Sequence, residues 1–244
     1  MSSIISSPRR SWSSLLVVGL VVSVAGSVVA APRAWTNATG SNSTFGWSGG
    51  QSGDGDVTNV GLWGDPIVND EGFFFRDMNP LFKAEAVWPA SSNMLSGMSV
   101  TLNTMNAVPP NMAGLTELRV REWGSYTGDI EDVVATGGTV LLTPISPGGP
   151  PTNLGELAMT FDSQEGTWEA SMDVVFSDIG GGFPSAVQIM SMAITNHLEA
   201  IPMDGSASIQ KEGASVVFPE PATGMLTLCG LIAVARRRGR HNSR

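Results

Sequence analysis

Between its two terminal segments the chain has no cysteine; the only one, Cys229, falls in an apolar run near the C-terminus. The body therefore has no disulfide to stabilise it and no thiolate for a metal centre, so stability has to come from its core. Histidine is almost as scarce, with His197 alone in the body. A zinc site needs three or four His or Cys ligands, so His197 reads as a surface or turn residue. Cations are also few. Arg9 and Arg10 precede the first apolar run and five arginines follow the last, which leaves six basic residues in the body against 21 acidic ones. A body with a net charge near −15 has no electrostatic footprint for nucleic acid or anionic lipid, and both are excluded as partners. Charged residues make up only 14% of the chain. Together with abundant Gly, Ser and Thr, this disfavours long surface helices and favours short strands and turns.

The ends are what the sequence has in plenty. Residues 1–30 read as a secretory signal: a basic start at Arg9 and Arg10, an apolar stretch from Leu15 to Val29, and a small-residue cleavage site at Ala30, with Ala31 next. An uncleaved anchor is the alternative, but the run is shorter than the ~20 residues a spanning helix needs. Signal peptidase and the export machinery are thus expected partners. The Arg9-Arg10-Ser11-Trp12 run leaves the choice between unfolded and folded export open.

Residues 219–244 have three parts in order. Pro219-Glu220-Pro221 is a rigid breaker, Met225 to Ala235 is an 11-residue apolar run, and Arg236-Arg237-Arg238-Gly239-Arg240 is a basic stop. The prolines exclude a continuous helix, and the arginines hold the C-terminus on the cytoplasmic side. Counted from Ala222 the apolar segment is roughly 21 Å long as a helix, against ~30 Å of hydrocarbon. That suits a transient membrane handle better than a permanent anchor. This order resembles the PEP-CTERM sorting domain, over about Phe218 to Arg240. The resemblance implies that an exosortase, an integral membrane processing enzyme, recognises Pro219, Glu220 and Pro221, with Arg236, Arg237 and Arg238 as the stop. It further implies a cell-envelope or extracellular destination and a link to exopolysaccharide and biofilm.

For the body, residues 31–56 read as a Gly/Ser-rich irregular segment and residues 57–218 as an all-β domain. Period-2 alternation carries that reading. Trp168, Ala170, Met172, Val174 and Phe176 share one face, Leu157, Met159 and Phe161 another, and Ser163-Gln164-Glu165-Gly166 joins the two as a hairpin. Further strands are expected around Phe82–Trp88, Met98–Leu102, Leu118–Trp123, Thr139–Leu142, Val187–Ile194 and Ser215–Phe218, with a short turn over Ala193–Ala200. Pro144 to Pro151 reads as a breaker. Eight to ten short strands and no internal repeat point to an antiparallel β-sandwich or jelly roll.

Candidate chemistry in the body is sparse. Gly46-Trp47-Ser48-Gly49-Gly50 matches G-x-S-x-G but lacks the strand-then-helix context of a nucleophile elbow. Asp54, Asp56 and Asp65 fall at calcium-loop spacing, although Asn59 occupies the position where such loops place glycine. A solvated turn is the favoured reading, and calcium is the one cofactor left open. Among Trp47, Trp63, Trp88, Trp123 and Trp168, Trp88 and Trp168 sit on apolar strand faces and read as core. Trp47 and Trp63, in presumed loops, are the candidates for stacking on a sugar. The expected function is a non-catalytic exported envelope or matrix protein. A carbohydrate- or calcium-binding sandwich module is the alternative, and a secreted glycoside hydrolase with a carboxylate pair comes third.

Overall fold

The computed structural model describes residues 32–53, 62–76, 78, 82–107 and 113–219. The signal segment with Ala30 and Ala31, the acidic pair Asp54 and Asp56, and everything from Glu220 onward, including Pro221 and Arg236 to Arg238, lie outside these residues.

Alternating sequence becomes strand almost throughout. The first half forms β1 Arg33–Ala34, β2 Gly40–Ser41, β3 Gly46–Gly53, β4 Ile67–Val68, β5 Gly72–Phe75, β6 Lys83–Val87 and β7 Ser92–Asn103. The second half forms β8 Glu117–Thr127, β9 Val133–Ser146, β10 Thr152–Glu156, β11 Ala158–Asp162, β12 Thr167–Val175, β13 Ile189–Ala200 and β14 Ser206–Val217. Among the described residues the only helical pieces are three 3₁₀ turns of three residues each.

Every pairing is antiparallel. One sheet runs β1-β3-β7-β13-β9-β10, with β2 beside β3; the other runs β11-β12-β8-β14-β5-β4, with β6 also on β14. Their inner faces share one apolar core, which makes the body a β-sandwich. β13 shows why. Met190, Met192, Ile194, Asn196, Leu198 and Ala200 are all buried while the residues between them face outward, as the period of two requires. The hairpin of β11 and β12 closes on the register Asp162↔Thr167 with Trp168 and Ala170 buried, as the sequence predicts.

Four expectations need correction. The Gly/Ser-rich segment is not irregular: Gly46–Gly53 is a strand paired with β7. Backbone pairing needs no side chain, so glycine hid the strand from a pattern search. The turn expected over Ala193–Ala200 is continuous strand, paired on both sides. Pro144 lies inside β9 opposite Met190, next to a register shift, so the breaker begins later than expected. Trp88 is 56% exposed in a turn, because the alternating run Phe82, Ala84, Ala86 stops where β6 ends at Val87.

Glycine and tryptophan are coupled across this fold. A Cβ on Gly50 would stand 2.1 Å from the Trp35 ring, one on Gly40 2.4 Å from Trp47, and one on Gly213 2.1 Å from Trp123. On Gly124 it would meet the Gln210 carbonyl at 1.9 Å and Trp168 Nε1 at 2.6 Å. Each indole rests on bare backbone, which only glycine allows. Gly124→Ala is expected to destabilise the body by several kcal/mol, since rigid backbone must move, with a cost of about 3 kcal/mol or more. Gly53→Ala, with its nearest atom at 3.6 Å, is expected to shift stability by less than about 1 kcal/mol. Urea unfolding of the two variants checks both.

Candidate functional site

Among the described residues the one fully buried ion pair lies where both sheets contribute polar side chains to the core. In β8 the inward series Leu118, Val120, Glu122, Gly124, Tyr126 carries a carboxylate in its middle. In β13 the inward series carries Asn196. In β14, Ile209 and Lys211 point inward, Glu212 is an extra residue, and Ala214 and Val216 resume the inward series. That β-bulge switches the phase of the strand, so a lysine and an alanine three residues apart both face the core.

The three groups meet. Lys211 Nζ lies 2.9 Å from Glu122 Oε1 and donates to Asn196 Oδ1 at 2.7 Å. Asn196 Nδ2 donates to Glu122 Oε2 at 2.6 Å. A weaker bond reaches the same oxygen from the Gly138 backbone N–H at 3.5 Å. The lysine side chain is fully buried, and Glu122 and Asn196 are each 1% exposed. Lys211 lies in the gap on β14 between β6, whose pairing ends at Gln210, and β5, whose pairing starts at Ala214. Its backbone N–H bonds the Phe82 carbonyl there, at 3.0 Å. Trp63 covers the amine, with Nζ 3.8 Å from the ring centroid, and the Phe82 ring is 5.7 Å away. An aromatic face is one of the few apolar surfaces that attracts a cation.

Burial pushes the Lys211 amine down to about 8, against the opposing pull of the Glu122 carboxylate. The room is tailored as well. A Cβ on Gly138 would stand 2.6 Å from Asn196 Nδ2 and 3.1 Å from Glu122 Oε1. The nearby register shift in β9, between the pairs Thr195↔Thr139 and His197↔Thr136, brings this glycine over the triad. Sequence reading passed over Glu122, Asn196 and Lys211. The signal was there: each occupies an inward position of an alternating strand, where a polar residue demands a partner.

The expected site residues lie elsewhere. Trp63 is 0% exposed and roofs Lys211, so its ring is not on the surface to stack on a sugar. Trp47 is half-buried, covered by Gly40 and Phe73, and its N–H bonds the Asn37 carbonyl at 2.8 Å. Asp65 binds the turn at Thr36, accepting from its backbone N–H at 2.9 Å and from its hydroxyl. Those bonds, the hydroxyl's first, hold the carboxyl below the usual range. Among the described residues no three His, Cys, Asp or Glu side chains cluster as a metal site would require. Ser48 is exposed within β3, which continues as strand past it. His197 lies on the outward face of β13. Pro219 is the last described residue.

Trp123, which the sequence reading set aside, faces outward on β8, half-buried, over Gly213 of β14 and opposite Glu169 of β12. Two open hollows lie nearby at the turn between β11 and β12. One, of about 500 Å³, is lined by Asp129 and Glu131; the other, of about 300 Å³, by Asp162, Glu165 and Glu169. These acids are all exposed, unlike the desolvated general acid of a glycoside hydrolase.

No protein-family model and no curated protein sequence matches the chain. Among solved structures, the carbohydrate-binding module TmCBM61, determined with β-1,4-galactotriose, is similar over 78% of this chain and 100% of its own. The identity is 11% and the TM-score 0.24. The KRT10-binding region domain of the pneumococcal serine-rich repeat protein PsrP is similar over 52% of this chain and 80% of its own, at 15% identity and a TM-score of 0.20. At these scores neither likeness bears on what the chain does.

Removing one member of the triad strands the others. Glu122→Ala is expected to cost about 3–5 kcal/mol, the scale for breaking a buried ion pair. The apolar triple variant Lys211→Met, Glu122→Leu, Asn196→Val, which leaves no buried charge, is expected to be more stable than Glu122→Ala. Urea denaturation of the two variants measures the difference.

Proposed function

We propose that the chain is an exported envelope or extracellular-matrix protein. In this reading an exosortase-type enzyme takes it up through Pro219, Glu220 and Pro221, and its body is a non-catalytic β-sandwich. The observation that carries the reading is how closely the motif follows the core in sequence. Phe218 is 1% exposed, its N–H bonds the Glu71 carbonyl at 2.8 Å, and its ring meets Phe45 edge-on at 5.2 Å. The next residue is Pro219, so a buried core side chain adjoins the first residue of the motif without a spacer. A cut within or just after the motif leaves every described strand of the sandwich intact. Mass spectrometry of the mature protein is expected to find the C-terminus at Pro219–Pro221 and the N-terminus at Ala31. Recovery of intact Arg244 from the envelope overturns the reading.

A second reading, glycan binding by the body, is favoured by Trp123. An indole laid on the glycine backbone of an outward sheet face offers a flat apolar surface. Glu169 and Ser125 flank it as hydrogen-bonding groups, a combination suited to a pyranose ring. The acidic body repels anionic polymers, so the ligand of this reading is a neutral polysaccharide, bound without calcium. On a glycan array, Trp123→Ala is expected to weaken binding about tenfold or more, the loss of one well-placed aromatic contact. Absence of binding to any neutral glycan sinks this reading and leaves the sorting reading standing.

A further inference from the structure

The triad places a nucleophile, an acyl group and a proton relay in contact, sealed from water. Lysine has only donors on its amine and an ionised carboxylate only acceptors, so the orientation of the Asn196 amide is forced: Oδ1 faces Lys211 and Nδ2 faces Glu122. The carbonyl carbon, Asn196 Cγ, is one bond beyond the oxygen that the amine holds at 2.7 Å. One carboxylate spans both ends of the exchange, with Oε1 at the attacking nitrogen and Oε2 at the departing one.

We propose that Lys211 and Asn196 are joined by an intramolecular isopeptide bond that forms without any other enzyme, with Glu122 relaying the proton. The ion pair passes its proton from Nζ to Oε1, leaving a neutral amine and a neutral acid. Nζ attacks Asn196 Cγ and the C–N bond forms. Glu122 gives the proton it holds to Nδ2 and, a carboxylate once more, takes the second proton from Nζ. The Cγ–Nδ2 bond breaks and ammonia leaves. One amine and one primary amide become one secondary amide and ammonia, and Glu122 ends as the neutral acid. No oxidant, metal or activated ester enters the balance.

Three features of the surroundings support this chemistry. Burial favours the uncharged amine, the form that is nucleophilic. The sandwich excludes water from the site, since Lys211 is fully buried beneath Trp63 and Phe82, so the competing hydrolysis of the amide is suppressed. Folding alone brings the reactants together, and groups held at 2.7–2.9 Å reach effective concentrations far above any free amine. The product is a covalent tie between β13 in one sheet and β14 in the other. It sits in a body that has no cysteine to make one.

The test is the mass of the purified mature chain after denaturation. The expected value is about 17 Da, one ammonia, below that calculated for its observed termini. A protease cutting after glutamate separates 170–199, which holds Asn196, from 200–212, which holds Lys211. The two fragments are expected to stay joined as one branched peptide. Lys211→Arg and Glu122→Gln are expected to restore the full mass and free the fragments. If the wild-type chain has its full calculated mass, the proposal is overturned. A deficit of one ammonia with separate fragments is a succinimide at Asn196, and overturns it equally. A bond that persists in Glu122→Gln removes the relay role. The wild-type fragments decide the central claim even if neither variant folds.

Discussion

An ammonium and a carboxylate sit between two β-sheets where neither meets water, and much of the surrounding fold is shaped by that fact. Desolvating two such ions costs several kcal/mol each even after relaxation, and their attraction offsets the cost only with near-ideal geometry. Here the geometry is supplied from four strands. Glu122 comes from β8, Lys211 from β14, Asn196 from β13 and a backbone N–H from Gly138 of β9. Each carboxylate oxygen has a partner, and Asn196 uses both ends of its amide. The aromatic roof adds a cation–π contact in a space that would otherwise be filled by aliphatic carbon.

Two of the register shifts in the sheets fall beside this centre. β14 carries an extra residue at Glu212, which turns Lys211 and Ala214 to the same side. β9 shifts register around Gly137 and Gly138, and the second glycine leaves the space that Asn196 and Glu122 occupy. A regular pairing of β14 could not hold Lys211 and Ala214 on the same face. The bulge in β14 also puts Gly213 beneath Trp123 on the outer surface. One local distortion therefore serves the core on one side of the sheet and lays an aromatic platform on the other. Burial of the triad and exposure of Trp123 are linked through the backbone.

Much of the sandwich is legible in the sequence, because alternation is a direct imprint of a sheet with one dry face. The hairpin at Ser163–Gly166 and the strands around Met98, Leu118 and Ser215 follow from it. What stays hidden has physical reasons. Half of β3 is glycine, so it pairs through backbone groups that leave no pattern. Trp63 lies among Gly and Asp and looks like a loop surface residue, yet it is drawn inside by the amine it covers. The triad is partly legible. Glu122 and Asn196 keep the inward phase of their strands, which marks them as polar residues in need of partners. Their pairing with Lys211 is not legible, because it depends on a bulge and on which strands of opposite sheets face each other.

Under the proposed sorting the chain is held by its C-terminal end, and the place of the triad along it then matters. β14 is the last described strand and runs into Pro219, the first residue of the proposed motif. Tension applied there is carried along β14. Between Pro219 and Lys211 the strand is held by hydrogen bonds to β5 and β8, which can detach one after another once the end frays. With Lys211 tied covalently to Asn196, peeling stops at residue 211 and the load passes to β13. That strand is paired along its length with β7 on one side and β9 on the other. A lysine nearer the chain end would shield more of β14, whereas one before Ile209 would leave most of the strand unprotected. A cysteine-free sandwich thus acquires its covalent tie where force from an attached terminus first reaches the interior, and the same reaction replaces a buried ion pair with neutral groups.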